Sequence, residues 1–319
     1  MDSNDIGNQI ARLEKEMKQK QEELAFLENL RKYKGEDRVI SAQEMRAELE
    51  NEKDDVLLMT KIPKLDEIIG GFKGGQVIVI SGATGHGKTL FAQALLTNFV
   101  KQNASCLFFS YEVGNKDLFN QFKELPVFYL PRQTKQNSMV WLENKIMEGI
   151  AKYESKVVFI DHLHFLLEME KMAQAKNLSL LIGMMMRELK KIAIERNLII
   201  FLISHLKKST MERGSVPTID DLRDSSFVAQ ESDMVILIRR EEENDVNNYK
   251  NKILTNNMLC IVSKNRRTGK LGSVKLTYRD KVLMEVDEIR QPDNKYERND
   301  VDGLSEDVLT AVQGIFEDK

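Results

Sequence analysis

The sequence predicts an α/β fold, a mostly parallel twisted sheet flanked by helices. From Val56 onward, short runs rich in Val, Ile, Leu and Phe recur with little polar alternation, as strands buried on both faces do. Helical patterns such as Leu178–Arg196 separate the early runs, and this alternation is typical of parallel sheets. The runs expected to form strands are QVIVIS (76–81), CLFFSYE (106–112), KVVFID (156–161), LIIFLIS (198–204), MVILIR (234–239) and MLCIVS (258–263).

The composition of the 319-residue chain excludes several classes of protein. With 47 basic and 50 acidic residues the net charge is −3, which excludes a globally basic nucleic-acid coat but not a local basic surface. Cys106 and Cys260 lie in apolar runs and predict neither a zinc site nor a disulfide. No segment approaches the roughly 18 apolar residues of a membrane span, and the polar, acidic N-terminus does not resemble a secretory signal. We therefore expect no membrane partner and a cytoplasmic location.

Composition shifts divide the chain into three expected regions: a helical N-terminal arm or linker (1–55), a central α/β domain (56–290) and an acidic C-terminal tail (291–319). In the arm, apolar residues at four–three spacing predict a helix that ends near Gly35. Ser41 and Glu44 form a capping-box pattern for a second helix over roughly 41–54. Two interpretations stay open, a pair of solvated surface helices or an arm that docks on a neighbouring copy. The apolar stripe consists of Ile6, Ile10, Leu13, Met17, Leu24 and Leu27.

A phosphate-binding turn follows the first apolar run. The segment GATGHGKT lies between QVIVIS and the helical pattern LFAQALLTNFV, and it matches G-x-x-x-x-G-K-[ST]. Such glycines let backbone N–H groups close around phosphate oxygens at a helix N-terminus. We expect Lys88 to reach the β and γ oxygens and the Thr89 hydroxyl to ligate Mg²⁺. The sequence thus predicts ATP and Mg²⁺ as cofactors, bound by Gly82, Ala83, Thr84, Gly85, His86, Gly87, Lys88, Thr89 and Leu90.

Two acidic residues at the ends of apolar runs complete the expected site. Asp161 ends KVVFID, and ligands of open α/β sheets bind at the carboxyl ends of strands, so we expect Asp161 to hold Mg²⁺ with Thr89. Glu112 ends CLFFSYE and is the candidate residue that orients or deprotonates the attacking water. His86 occupies an unconstrained position of the turn and is given no catalytic role.

From about Ile62 to Val286, the order of these motifs resembles the RecA-like motor domain of hexameric replicative helicases, the family of DnaB, Twinkle and the phage primase-helicases. In this resemblance FFSYE carries the catalytic base, which is Glu112, and FLISHLKK carries a γ-phosphate sensor, which is His205. IVSKNRRTGKLGSVKLTY is similar to the strand whose Lys-x-Arg pair reaches the ATP of the next subunit. The corresponding residues are Lys264 and Arg266, with Arg267 as a near competitor for the arginine finger.

The expected nucleic-acid contacts are in two polar segments. HLKKSTMERGSVP (205–217) contains Lys207, Lys208 and Arg213, and a basic loop repeated around a ring attracts single-stranded DNA phosphates. IDDLRDSSFVAQESDMVILI is similar to the fourth helicase motif, which implies that Arg223 and Asp224 face DNA. The expected partners are therefore single-stranded DNA, further copies of the chain in a hexamer, and a loader or primase protein. We expect no N-terminal helical or primase domain, and the arm or another protein to stabilise the ring.

The sequence thus predicts an Mg²⁺/ATP-dependent, ring-forming replicative DNA helicase. Its 5′-to-3′ polarity is implied by the resemblance alone. Two alternatives remain: a RecA/KaiC-like ATPase that assembles on DNA or protein without unwinding, and a non-enzymatic loader whose nucleotide site only controls assembly. Glu112 and Arg266 argue against the loader, because a pure switch needs neither a catalytic base nor an arginine finger.

Overall fold

The computed structural model describes residues 3–35, 37–50, 57–133, 139–162, 178–206, 216–222, 225–245 and 248–286. The chain divides into two compact units, Met1–Asp55 and Val56–Lys319. Among the helices of the described residues, none is long and apolar enough to cross a membrane. The acidic tail that the sequence analysis proposes for 291–319 lies outside the described residues.

The first unit contains the two predicted helices, α1 (Ser3–Arg31) and α2 (Ala42–Glu50). The capping box is present: the Ser41 amide donates to the Glu44 carboxylate at 2.9 Å, and the Glu44 amide donates to the Ser41 hydroxyl at 3.1 Å. The first of these hydrogen bonds lowers the pKa of Glu44. Helix α1 ends at Arg31, four residues before the expected Gly35. The described stripe residues Leu13, Met17, Leu24 and Leu27 are exposed.

The second unit is built on one sheet of eight strands, counted over the described residues. The strands are β1 (Gln76–Gly82), β2 (Cys106–Ser110), β3 (Val157–Asp161), β4 (Ile199–His205), β5 (Met234–Asp245), β6 (Asn248–Asn265), β7 (Gly272–Arg279) and β8 (Val282–Glu285). Their order in the sheet is β2-β3-β4-β1-β5-β6-β7-β8; β2 to β5 in this order pair in parallel, and β6, β7 and β8 are each antiparallel to the strand before them. All six predicted runs are strands, so the predicted α/β sheet is confirmed.

Helices cover both faces of the sheet, which explains the lack of polar alternation in the strands. In β1, for example, Ile78 and Ile80 pack on one core cluster, and Val77 and Val79 pack on the other. The helices of this unit are α3 (Pro63–Ile69), α4 (Lys88–Val100), α5 (Asn115–Asn120), α6 (Met139–Tyr153), α7 (Leu178–Glu195) and α8 (Ser225–Glu231). The first cluster contains buried residues of α3, α4 and α5, and the second contains buried residues of α6, α7 and α8.

The parallel strands bring the expected catalytic segments to one edge of the sheet. Gly82 at the end of β1 is level with His205 at the end of β4, and Ser110 at the end of β2 is level with Asp161 at the end of β3. Because parallel strands share their carboxyl ends, residues far apart in sequence become neighbours at this edge. The antiparallel strand β6 runs the other way, so its last residues lie at the opposite edge, where Lys264 is level with Val235.

Candidate active site

The turn between β1 and α4 depends on glycine at three positions. Gly85 and Gly87 have φ of 79° and 92°, in the left-handed region that glycine alone adopts at little cost. A Cβ atom on Gly82 would lie 2.3 Å from the carbonyl oxygen of Ile238 in the neighbouring strand. The glycines therefore give the turn before α4 the backbone conformation that the phosphate-binding pattern predicts, with its amide groups next to the N-terminus of the helix.

Lys88 is the first residue of α4 and is buried beneath the turn. Its ammonium donates a hydrogen bond to the carbonyl oxygen of Ala83 at 3.0 Å. Burial lowers the pKa of Lys88, and the nearby Glu112 and Asp161 carboxylates partly oppose this shift. Among the described residues, a single backbone carbonyl thus holds the ammonium inside the turn, where phosphate oxygens can replace that acceptor.

Thr89 and Asp161 form a pair suited to a hard cation. The Thr89 hydroxyl donates to Oδ2 of Asp161 at 2.8 Å. The other carboxylate oxygen of Asp161, Oδ1, is buried and makes no hydrogen bond within the described part of the chain. Burial, as the largest cause, raises the pKa of Asp161 to about 6. A buried carboxylate with an unsatisfied oxygen beside a hydroxyl fits Mg²⁺, which prefers oxygen ligands and retains water.

Glu112 and His205 lie at the same edge as this pair. Glu112 follows β2, and its carboxylate interacts electrostatically with both Lys88 and Asp161. His205 ends β4 beside Gly82. The structure therefore brings together the P-loop, Thr89, Asp161, Glu112 and His205 at the carboxyl ends of neighbouring parallel strands. A carboxylate beside a buried ammonium and a metal-binding pair can activate water against a phosphoryl group.

Sequence analysis missed His162 as a member of this site. Its Nε2 lies 4.0 Å from Oε2 of Glu112, and its ring is 4.5 Å from that of His205, measured between centroids at an interplanar angle of 82°. The signal was available, because His162 directly follows Asp161 at the carboxyl end of a strand.

His86 holds the turn against the sheet. Its Nδ1 accepts a hydrogen bond from the backbone N–H of Arg240 in β5 at 3.1 Å. Burial lowers the pKa of His86, which favours the neutral ring that this acceptor role requires. His86 thus has a structural role at an unconstrained position of the motif.

Lys264 and Arg266 lie at and just after the end of β6 and contact the C-terminal end of α8 and the residues that follow it. The Lys264 ammonium donates to the carbonyl oxygens of Gln230 at 3.1 Å and Ser232 at 2.6 Å, and also to that of Ala229. Burial lowers the pKa of Lys264 to about 8. Arg266 donates to the carbonyl oxygen of Gln230 and has its guanidinium 3.9 Å from a carboxylate oxygen of Asp233. The Arg266 side chain is 52% exposed.

Arg267 forms hydrogen bonds within its own chain. Its Nη2 donates to the carbonyl oxygens of Ile69 at 3.2 Å and Gly71 at 3.0 Å, and also to that of Gly70. These carbonyls lie at and just beyond the C-terminal end of α3, where a cation complements the helix dipole. Of the two adjacent arginines, Arg266 is therefore the one directed outward.

Lys264 and Arg266 are remote from the P-loop of the same chain. The Arg266 amide donates to the carbonyl oxygen of Asp233 at 2.9 Å, whereas Gly82 is level with Ile238, five residues further along β5. At ~3.3 Å per strand residue this separates the two levels by about 16 Å, more than an arginine side chain spans. Within one chain, the basic pair and the P-loop thus lie at opposite edges of the sheet.

The expected DNA contacts Lys207, Lys208, Arg213, Arg223 and Asp224 lie outside the described residues. Leu206 directly precedes Lys207, Leu222 directly precedes Arg223, and these two leucines pair in an isolated antiparallel bridge next to His205.

Comparison with protein families agrees with this architecture. The family model described as the DnaB-like helicase C terminal domain matches residues 119–285, just over half of the chain. This chain belongs to the DnaB-like helicase family. A second model, described as the KaiC ATPase, matches residues 58–127, which contain the P-loop. The resemblance predicted from the motifs is therefore confirmed at the level of the family.

Curated relatives include replicative helicases of bacteria. The chain is 29% identical over 254 residues to the replicative DNA helicase DnaB of Mycoplasma genitalium, an alignment covering 68% of this chain and 53% of the relative. It is 22% identical over 265 residues to the replicative DNA helicase DnaC of Bacillus subtilis, covering 72% and 57%. The chain thus spans about half the length of the curated relatives it matches.

Solved structures of the DnaB-like type share the fold. A DnaB-like replicative helicase, described with its interactions with primase, superposes with a TM-score of 0.62 at 20% identity, covering 84% of this chain and 72% of that one. A second solved structure, described as an ATPase domain, superposes with a TM-score of 0.61 at 20% identity, covering 77% and 97%. The RecA-like fold expected from the resemblance is therefore confirmed.

Proposed function

We propose that this chain is the motor of a replicative DNA helicase, in which ATP hydrolysis at sites shared between neighbouring copies drives translocation on single-stranded DNA. The observation that carries the proposal is the separation of two half-sites. Lys88, Thr89, Asp161 and Glu112 gather at one edge of the sheet, whereas Arg266 projects from the opposite edge. A head-to-tail contact between copies joins these edges, and such contacts form a ring when the rotation closes.

The proposed roles follow from the contacts of each residue. The turn amides and Lys88 bind the β- and γ-phosphates, and the Ala83 carbonyl releases the ammonium as they bind. Thr89 and Asp161 would hold Mg²⁺, which neutralises charge on the phosphate oxygens. Glu112 accepts a proton from the attacking water, and His205 contacts the γ-phosphate from the end of β4. Arg266 of the neighbouring copy stabilises the charge that develops on the transferred group.

The proposed DNA contacts are sequence-based. Lys207, Lys208 and Arg213 belong to a segment that starts directly after His205, and Arg223 with Asp224 follows its return. Movement of His205 on loss of the γ-phosphate would therefore be transmitted to the start of the DNA-binding segment. A hexameric ring, 5′-to-3′ movement and a loader or primase partner complete the proposal. The arm (1–55), motor (56–290) and tail (291–319) are its proposed domains.

The decisive test is unwinding of a forked duplex. We expect the chain to separate a fork with a 5′ single-stranded tail in the presence of ATP and Mg²⁺, and to leave a fork with only a 3′ tail intact. The matched control is Lys88→Ala, which should separate neither. Separation of the 3′-tailed fork alone would contradict the polarity, and no separation of either fork would contradict the helicase assignment.

One observation favours a second candidate, since the KaiC ATPase model matches the P-loop segment. An ATPase that assembles on DNA or protein without unwinding would hydrolyse ATP in response to single-stranded DNA and separate no fork. Measuring both activities on the same preparation distinguishes the two. Hydrolysis stimulated by DNA without any strand separation, also with a loader added, would favour the second candidate.

A further inference from the structure

Three side chains with metal-binding atoms converge beside Asp161: Glu112, His162 and His205. One ligand atom from each lies within 4.8 Å of those of the other two. Nε2 of His162 is 4.0 Å from Oε2 of Glu112. Ligand atoms at the ~2.0–2.1 Å bond length of Zn²⁺ lie about 3.3 Å apart in a tetrahedral site. The His162–Glu112 pair thus has to shorten by less than roughly 1 Å, and no pair has to shorten by more than about 1.5 Å, to close a site around one ion.

Two adjacent strands set the backbone positions of the two histidines. His162 directly follows β3 and is 9% exposed, and His205 is the last residue of the adjacent strand β4. Glu112 follows β2, the neighbour of β3 on its other side, and is exposed enough for its side chain to adjust. Three neighbouring parallel strands thus each present one ligand at the same edge. Ligands held by rigid elements lose little conformational freedom on binding.

The donor set selects the kind of ion. Two imidazoles and one carboxylate suit Zn²⁺, Co²⁺ and Ni²⁺, whereas Mg²⁺ prefers oxygen ligands and belongs at Thr89 and Asp161. We propose that Glu112, His162 and His205 bind one transition-metal ion such as Zn²⁺, and that the bound ion prevents the Glu112 carboxylate from activating water. The second part rests on the proposed function, because it takes Glu112 as the base for ATP hydrolysis.

Metal binding is tested by titrating the chelator-treated chain with Co²⁺ and recording its visible absorption. We expect one Co²⁺ per chain with the spectrum of a nitrogen- and oxygen-ligated ion, and no displacement by excess Mg²⁺. His162→Asn should weaken binding by more than ~100-fold, beyond the effect typical of residues that only support a ligand. The matched control is His86→Asn, which removes a histidine that bonds the Arg240 amide instead and should leave the affinity unchanged.

Several outcomes would overturn the site: affinity unchanged in His162→Asn, equal loss in His86→Asn, or displacement of Co²⁺ by Mg²⁺, which would locate the ion at Thr89 and Asp161. Thermal unfolding of each variant checks the fold, and His162→Gln provides a second substitution if His162→Asn unfolds.

The consequence for catalysis is tested separately. Zn²⁺ should inhibit ATP turnover at saturating Mg²⁺, and the half-inhibitory concentration should rise at least tenfold in His162→Asn, with each protein normalised to its own rate without Zn²⁺. Co²⁺ binding without inhibition by Zn²⁺ would refute the block of Glu112 and leave the site intact. Absence of Co²⁺ binding would refute the site, whereas the proposed ATPase would stand on its own turnover.

Discussion

Substituting Arg266 and Arg267 one at a time distinguishes an arginine that acts on the ATP of a neighbouring copy from one that stabilises its own chain. Arg266 is half exposed, and its ion pair with Asp233 is long at 3.9 Å. Its hydrogen bond to the carbonyl oxygen of Gln230 is likewise exposed to solvent. Exposed charged contacts of this kind contribute about 0–1 kcal/mol, so Arg266→Ala should lower the melting temperature by no more than about 4 °C in a unit of this size. Its removal should nevertheless reduce DNA-stimulated ATP hydrolysis by about 10³-fold or more, because an arginine finger contributes that much to the rate.

Arg267→Ala should have the opposite effect. Its guanidinium donates to the carbonyls of Ile69, Gly70 and Gly71 at the end of α3. Hydrogen bonds from a charged donor contribute about 1.5–3 kcal/mol, so the melting temperature should fall by about 3–12 °C. ATP turnover per folded molecule should change by less than about tenfold, since this guanidinium is engaged by carbonyls of its own chain.

The assay combines differential scanning calorimetry with steady-state ATP turnover on single-stranded DNA. Mixing Arg266→Ala with Glu112→Ala should restore part of the activity, because interfaces then form in which one copy supplies the base and the other the arginine. A mixture with no activity would contradict action between subunits. So would full turnover by the isolated single copy, or a turnover loss in Arg267→Ala at unchanged melting temperature.

Three further predictions concern the turn, the metal-binding pair and the DNA-binding segment. Lys88→Ala should abolish ATP turnover and weaken nucleotide binding in a fluorescent-analogue titration, and near-normal turnover would rule out the assigned phosphate contact. Because the pKa of Asp161 is raised from 3.8 to about 6, its ionised form disfavours folding, and the resulting loss of stability grows as pH rises from about 4 to 6. Asp161→Asn should therefore stabilise the Mg²⁺-free protein by up to about 3 kcal/mol at pH 7, measured by urea unfolding, and should give no gain in stability at pH 4. A gain that persists at pH 4 would show that burial of the ionised carboxylate is not the reason. Lys207→Ala combined with Lys208→Ala should weaken single-strand binding and reduce the slope of log affinity against log salt by about 1.4, and an unchanged slope would place the DNA contacts elsewhere.

Local patterns were sufficient to predict the strands and the P-loop. The strand runs are apolar on both faces because helices cover both, and the turn is set by Gly85 and Gly87, whose left-handed conformations favour glycine. Asp161 and Glu112 could be predicted because parallel strands end at one edge, so that a strand-end position already implies a place in the site.

Contacts between distant segments could not be predicted in the same way. Nothing in the basic run from Lys264 to Lys275 distinguishes Arg266 from Arg267, because the difference lies in the carbonyls of α3, almost 200 residues earlier. Lys264 was expected to reach a neighbouring copy, and that role stays a prediction, but its ammonium is already engaged by three carbonyls at and after the end of α8. His162 directly follows the strand-end Asp161, which indicated the same edge of the sheet, but its 4.0 Å distance from Glu112 emerges only when β2 and β3 pair.

The placement of the P-loop and Arg266 at opposite edges has a consequence for how a circle of such copies opens. If every nucleotide site needs residues from two neighbouring copies, a ring that opens at one interface to admit a DNA strand loses only the site at that interface. The remaining interfaces stay complete, so the opened ring can continue to hydrolyse ATP while the DNA strand enters. Closing that interface restores the last site, so the rate of ATP hydrolysis would indicate whether the ring is open or closed.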